Sequence, residues 1–170
     1  DETGKEISGM CLDAPSCMIW YPREENSHSS EPSSRQYFRD AIIEHGIVSK
    51  MDLRNALCLG HRMKYPMPAF EGANVQHTTS YPLVVFSHGL FGCKEMYTNL
   101  ARNLASEGTI VVCIEHEDGS ACYHVDKEGK EGRYQKPPEG IKYSNRDEVR
   151  AFRHPMLEKR AREVEAVLYA

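Results

Sequence analysis

A chain of 170 residues has the length of one domain, and 40% hydrophobic residues are enough to build a core. A net charge of −4 argues against a nucleic-acid binder, which needs a basic excess or stripe, and no run approaches the roughly 18 apolar residues of a membrane span. The sequence starts at Asp1 and stops inside a helical pattern at Leu168, Tyr169 and Ala170, so one incomplete domain over residues 1–170 is expected.

Residues 7–12 and 16–22 have strand character, with a turn at Asp13, Ala14 and Pro15 between them. This predicts an antiparallel start. Residues 23–34, polar and rich in Ser, Glu and Pro, read as a surface loop. Ser33 and Gln36 form a capping-box pattern that opens a helix carrying Tyr37, Phe38, Ala41 and Ile42 on one face and closed by Gly46. Ser49 and Asp52 repeat the pattern ahead of Leu53, Ala56 and Leu57, with Gly60 as the stop. Packing on a sheet is the default for residues 49–60, and contact with a lipid interface is the alternative. An irregular, proline-containing connection over residues 62–80 follows.

The run YPLVVFSHGLFG, residues 81–92, is the most informative in the chain. Leu83, Val84, Val85 and Phe86 make the short continuous apolar stretch of a strand covered on both faces, and Gly89 and Gly92 allow a tight turn at its end. Met96, Leu100 and Leu104 then recur at helical spacing, Gly108 supplies the stop, and TIVVCI over residues 109–114 is the next buried strand. Strand, helix and strand form a βαβ unit with parallel strands. Residues 117–143 read as a long polar loop. A helix is expected from Ser144, ended or kinked by Pro155, and Leu157, Ala161, Val164 and Leu168 give the last helix its apolar stripe.

The chemistry converges on the carboxyl ends of the two buried strands. A carbonyl oxygen gaining negative charge needs donors already in place, and the backbone N–H of Leu90, just past the His88–Gly89 corner, is the first candidate. The plainer reading is a tight strand-to-helix turn. Ser87 and His88 do not make a catalytic pair, because neighbours on a strand point to opposite faces. No G-x-S-x-G occurs, so the chain is read as lacking its own nucleophile. Glu115, His116 and Asp118 follow the second strand and border the same edge, where α/β sheets bind ligands; their plainer role is to hold the loop by hydrogen bonds. His88, His116, Cys122 and His124 have no compact ligand spacing, so no metal is expected. The six cysteines include no C-x-x-C pair, and Cys113 reads as a small buried hydrophobe. Without an N-x-S/T acceptor the chain leans to a reducing, cytoplasmic interior, although secretion stays open.

At WYP (residues 20–22), YPLVVFSHGL (81–90), NLASEGTIVVCIEHEDGS (103–120) and RARE (160–163) the chain resembles the platelet-activating-factor acetylhydrolase family, the calcium-independent group VII phospholipases A2 of α/β-hydrolase fold. The resemblance implies the N-terminal portion of that fold, a mostly parallel sheet with an antiparallel start, truncated before the nucleophile elbow. It implies a serine esterase that removes short or oxidised acyl groups from the sn-2 position of phospholipids, with no cofactor and no metal. Leu90 would give one oxyanion-hole N–H, with His88, Gly89, Phe91, His116 and Asp118 bordering the substrate. The nucleophilic serine, the aspartate and the histidine would all lie downstream. The phospholipid substrate is the expected partner, with lipid-interface contact through residues 49–60 and no nucleic acid; the oligomeric state is open. An α/β-hydrolase esterase for other esters, or a binding protein that kept the fold without the elbow, are the alternatives.

Overall fold

The computed structural model describes residues 14–23, 36–47, 69, 74–75 and 80–170. At its centre lies β3 (Ile110–Ile114), whose Val111, Val112, Cys113 and Ile114 are all buried, as a strand covered on both faces requires. β1 (Cys17–Trp20) runs antiparallel along one side of β3, with Cys17 opposite Ile114 and Trp20 opposite Val111. β2 (Leu83–Ser87) runs parallel along the other, with Leu83 opposite Ile110 and Ser87 opposite Ile114. The order is β1-β3-β2, a mixed sheet with the antiparallel strand at one edge.

A 3₁₀ turn (Lys94–Tyr97) and α1 (Thr98–Ser106) carry the chain from β2 back to β3, and Gly108 ends the crossover at φ 88. Ala101 and Ala105 of α1 pack with Trp20, Val111 and Cys113, and Val84, Phe86 and Leu104 close the cluster. Small alanines bring the helix close to the sheet. Each valine or isoleucine buried there contributes about 1.5–3 kcal/mol. Val84 and Phe86 therefore face α1, and by the alternation of the strand Ser87 faces the opposite side.

Three expectations change. The segment around residues 36–47 becomes helical only at Asp40 and then widens into a π-helical turn, Ile42–Ile47. Gly46 lies inside that turn instead of closing it, and its lack of a side chain leaves room for Cys122, whose Sγ would stand 3.0 Å from an added Cβ. The polar loop of residues 117–143 contains an antiparallel hairpin, β4 (Tyr123–Val125) and β5 (Glu131–Arg133). Its turn is held by Asp126, whose Oδ1 accepts from the N–H groups of Glu128 at 3.0 Å and Lys130 at 2.8 Å.

The third change concerns α2 (Arg146–Leu168), which starts at the Asn145 cap and runs through Pro155 without ending. The expected stripe faces outward: Leu157 is 58% and Leu168 56% exposed, while the buried residues of α2 are Arg153 and Glu163. Residues 7–12, 24–35, 49–60 and most of 61–79 lie outside the described residues, so the first strand pairing and the lipid-contact helix do too. Among the described residues no helix is long and apolar enough to cross a membrane. Cys93, Cys113 and Cys122 are free thiols, and burial pushes Cys113 up to about 12, so it stays protonated.

Candidate active site

Where β2 ends, His88 is 1% exposed and both its ring nitrogens are engaged. Nε2 lies 3.2 Å from the His116 backbone N–H, which can only donate. The proton must therefore sit on Nδ1, which donates to the Gly89 carbonyl at 2.8 Å. Burial lowers the imidazole to about 4, so His88 is neutral near pH 7 and its 3.6 Å approach to Glu115 is not an ion pair. The Gly89 carbonyl also accepts from Gly92 N–H at 3.1 Å. No peptide bond among the described residues is cis, so the Leu90 N–H points away from that doubly bonded carbonyl. Among the described residues nothing accepts from it. The Leu90 side chain is 61% exposed beside it.

The glycines of this turn have different duties. A Cβ on Gly92 would stand 2.9 Å from Gly89 O and 3.0 Å from His88 Nδ1, so no other residue fits without moving the clamp. A Cβ on Gly89 would meet nothing nearer than the Tyr97 hydroxyl at 3.8 Å. The left-handed backbone falls instead on Phe91, at φ 61, and its N–H donates to Ser120 O at 2.7 Å. Such a conformation costs a non-glycine residue about 1–2 kcal/mol, which that bond and the surrounding contacts offset.

Behind the turn, a chain of side chains runs from α2 to β2. Glu163 takes the Glu117 N–H on Oε1 at 3.1 Å and holds His116 Nδ1 on Oε2 at 2.6 Å. With its proton on Nδ1, His116 turns the Nε2 lone pair towards Ser87 Oγ at 2.7 Å. These are the contacts of a serine, a base and an orienting carboxylate. Ser87 differs from an activated nucleophile in standing in a regular strand, not on a strained elbow. One turn earlier, Arg160 joins three parts of the site, donating to Asp118 Oδ2 at 3.1 Å, to the His88 carbonyl at 2.7 Å and to Ser120 Oγ. Burial opposes the Asp118 charge, but the Ser120 hydroxyl and N–H, with Arg160, outweigh it and hold the carboxyl below its usual range.

Beneath the turn lie Glu95 and Glu115, both 1% exposed and both paired to Arg39, whose Nη2 is 2.5 Å from Glu115 Oε2. Lys94 is buried beside them with Nζ on Ser16 Oγ at 2.5 Å. Burial, aided by Glu95, pushes Glu115 above the usual carboxylate range against the pull of Arg39. These charges anchor the 3₁₀ turn to the sheet.

Of the residues read from the sequence, His88, Gly89, Leu90, Phe91, His116 and Asp118 come together at one sheet edge. His88, His116 and Asp118 are buried supports, while Leu90 and Gly89 are exposed. Glu115 points into the charge cluster below. Both ring nitrogens of His88 and of His116 are occupied, and among the described residues no cluster of three or more His, Cys, Asp or Glu could hold a metal. Arg39, Lys94, Glu95, Arg160 and Glu163 were not singled out as site residues. The signal for the last two was their spacing with Arg153, which puts all three on one helix face.

The mixed sheet, its parallel crossover and the helices packed on it define an α/β protein. The model of the family described as platelet-activating factor acetylhydrolase, isoform II, matches residues 16–170, and the chain belongs to that family. It is 32% identical over 108 residues to the platelet-activating factor acetylhydrolase of Bos taurus, covering 61% of this chain and 23% of the relative. Its counterpart in Gallus gallus is 31% identical over 106 residues, covering 56% and 25%. A putative phospholipase A2 of Schizosaccharomyces pombe is 35% identical over 57 residues, covering 32% and 13%. The chain spans about a quarter of the length of the acetylhydrolases it matches.

Proposed function

We propose that this chain is the N-terminal part of an α/β-hydrolase serine esterase that cleaves the sn-2 acyl ester of platelet-activating factor and related phospholipids carrying short or oxidised acyl groups. The names of the relatives support the substrate class. The observation that carries the chemistry is the Gly89–Leu90 peptide, whose carbonyl is tied inward by His88 and Gly92 while its N–H is left without an acceptor among the described residues. On this reading Leu90 N–H is one oxyanion donor, preorganised before substrate arrives, and His88, His116 and Asp118 hold it from behind. Gly89 and Phe91 line the approach. The second donor, the nucleophile and its base come from sequence outside residues 1–170, and no metal or cofactor takes part.

The experiment is hydrolysis of an sn-2 acetyl phospholipid by the full-length protein, in calcium-free buffer. Turnover supports the reading, and failure to cleave phospholipid while cleaving simple short-chain esters overturns the substrate class. A second reading makes Ser87 the nucleophile, favoured by its contact with His116 and through it Glu163. A fluorophosphonate probe separates the two, since residues 1–170 alone are expected to remain unlabelled and stoichiometric labelling of Ser87 would establish the second.

A further inference from the structure

Two thiols meet just behind the turn. Cys93 and Cys122 are fully buried, and both lie in one apolar cluster with Ile42, Ile47 and Tyr123. The Cys122 N–H donates to the Gly92 carbonyl at 2.9 Å, and such a bond leaves the α-carbons of Cys93 and Cys122 about 4.5–6.5 Å apart, within the span a disulfide bridges. The side chains point at each other as well, since the Cys93 S–H donates to Cys122 Sγ. Cys17 and Cys113 are placed differently. Across the β1–β3 pair Cys17 stands opposite Ile114 and Cys113 opposite Met18, which puts those two sulfurs on opposite faces of the sheet.

The pair is unequal. The bond from Cys93, with help from the Tyr123 N–H, holds Cys122 below the usual thiol range although burial opposes it. Cys93 is pushed up by giving that bond, by burial and by the carboxylates of Glu95 and Glu115. The thiolate is the nucleophile, so Cys122 is the sulfur that attacks an oxidant and Cys93 the one that resolves. The pair also sits at a seam. Backbone bonds join the turn to the loop after β3 there, Phe91 N–H to Ser120 O at 2.7 Å and Cys122 N–H to Gly92 O at 2.9 Å. A bridge between the sulfurs would add a covalent link beside them and close a loop of about 30 residues that carries α1 and β3.

We propose that Cys93 and Cys122 form a redox-active dithiol, which a small hydroperoxide closes to a disulfide that locks the Leu90 turn to the loop after β3. The Cys122 sulfur attacks the hydroperoxide, the O–O bond breaks, and the leaving oxygen takes the Cys122 proton and departs as an alcohol, or as water from hydrogen peroxide. The Cys93 sulfur then attacks the Cys122 sulfenic acid: the S–S bond forms, the S–O bond breaks, and the hydroxyl leaves with the Cys93 proton as water. The two thiols lose two electrons and the O–O bond takes them. A dithiol reductant reverses the step by exchange. The chemistry belongs to the two sulfurs and stands whether or not the Leu90 N–H is the oxyanion donor.

The test is made on the full-length protein, titrated with hydrogen peroxide, its remaining thiols then alkylated and its peptides mapped by mass with and without dithiothreitol. The expected product joins the Cys93 and Cys122 peptides, is restored to two thiols by the reductant, and exchanges the Phe91 and Cys122 amide hydrogens about tenfold or more slowly than the reduced protein. Two unreacted thiols at Cys93 and Cys122, a bridge from either to another cysteine, or a bridge that leaves the exchange unchanged overturns the proposal. The single variants check the order of attack. Cys93→Ala is expected to let Cys122 accumulate as sulfenic and sulfinic acid, while Cys122→Ala leaves Cys93 a thiol at the same dose. The reverse pattern, or equal oxidation in both variants, overturns the assignment of Cys122 as the attacking sulfur.

Discussion

The inner face of α2 has two ends that treat charge differently. Towards its C-terminus, Arg160 and Glu163 are bonded on several sides: Arg160 to Asp118, Ser120 and the His88 carbonyl, Glu163 to His116 and the Glu117 N–H. Two turns earlier, Arg153 is as deeply buried but touches rings, a phenol and a thioether. Buried charges that are fully bonded hold a structure in one arrangement, and those that are not keep bonding capacity in reserve. The first end therefore aims the turn at residues 88–92, and the second is held by neutral groups among the described residues.

The contrast predicts opposite responses to the same kind of substitution. Arg160→Met leaves Asp118, 1% exposed at its side chain, without its cation, and is expected to cost about 3–5 kcal/mol in denaturant unfolding. Arg153→Met leaves no carboxylate stranded among the described residues and gives up only bonds to the Tyr134 hydroxyl and the Met156 thioether, so its effect is expected to stay within about 1 kcal/mol. Equal losses would break the comparison.

Between these two lies the pH response of His88. Its folded pKa of about 4 is below the ordinary 6.5, so between those values the unfolded chain binds more protons and stability falls as pH falls. The loss from this residue approaches about 3 kcal/mol below pH 4. Glu115, raised in the folded state, acts the other way above its ordinary value, so the measurement is the difference between wild type and His88→Asn across pH 4–7. Asparagine can still donate to the Gly89 carbonyl but does not titrate. A flat difference would show that His88 is not held neutral.

A smaller contrast tests the clamp itself. Gly92→Ala puts a methyl 2.9 Å from the Gly89 carbonyl and is expected to cost about 1–3 kcal/mol, while Gly89→Ala has open room and should cost less. Thermal unfolding of the pair is sufficient. The reverse order would mean that the Gly89–Leu90 peptide is not fixed from the Gly92 side.

Much of the sheet edge was legible because its signals are local. The apolar runs around Val84 and Val112 are too short for helices, and Gly108 marks the return, so the parallel pair of β2 and β3 followed from the sequence. Leu90, His88, His116 and Asp118 were legible by position, just beyond strand ends. The bond between Ser87 and His116 was not, because it depends on the register that sets Ser87 opposite Ile114, two residues before His116. The inner face of α2 was misread for a different reason. Apolar periodicity assumes that burial follows hydrophobic area, but Arg153 and Glu163 are buried by the groups they bond, and Leu157 and Leu168 stay outside. The hairpin of β4 and β5 was hidden by its charged turn, whose order comes from the Asp126 carboxylate.

The central claim is that the Leu90 backbone N–H, not its side chain, receives the developing negative charge. Leu90→Pro deletes that N–H and Leu90→Ala keeps it, so in the full-length protein the first is expected to lose on the order of 10²–10³ in kcat and the second far less. Because proline also restrains Gly89, both variants must match the parent in unfolding midpoint and circular dichroism. Equal losses in two well-folded variants, or no loss in either, would contradict the account.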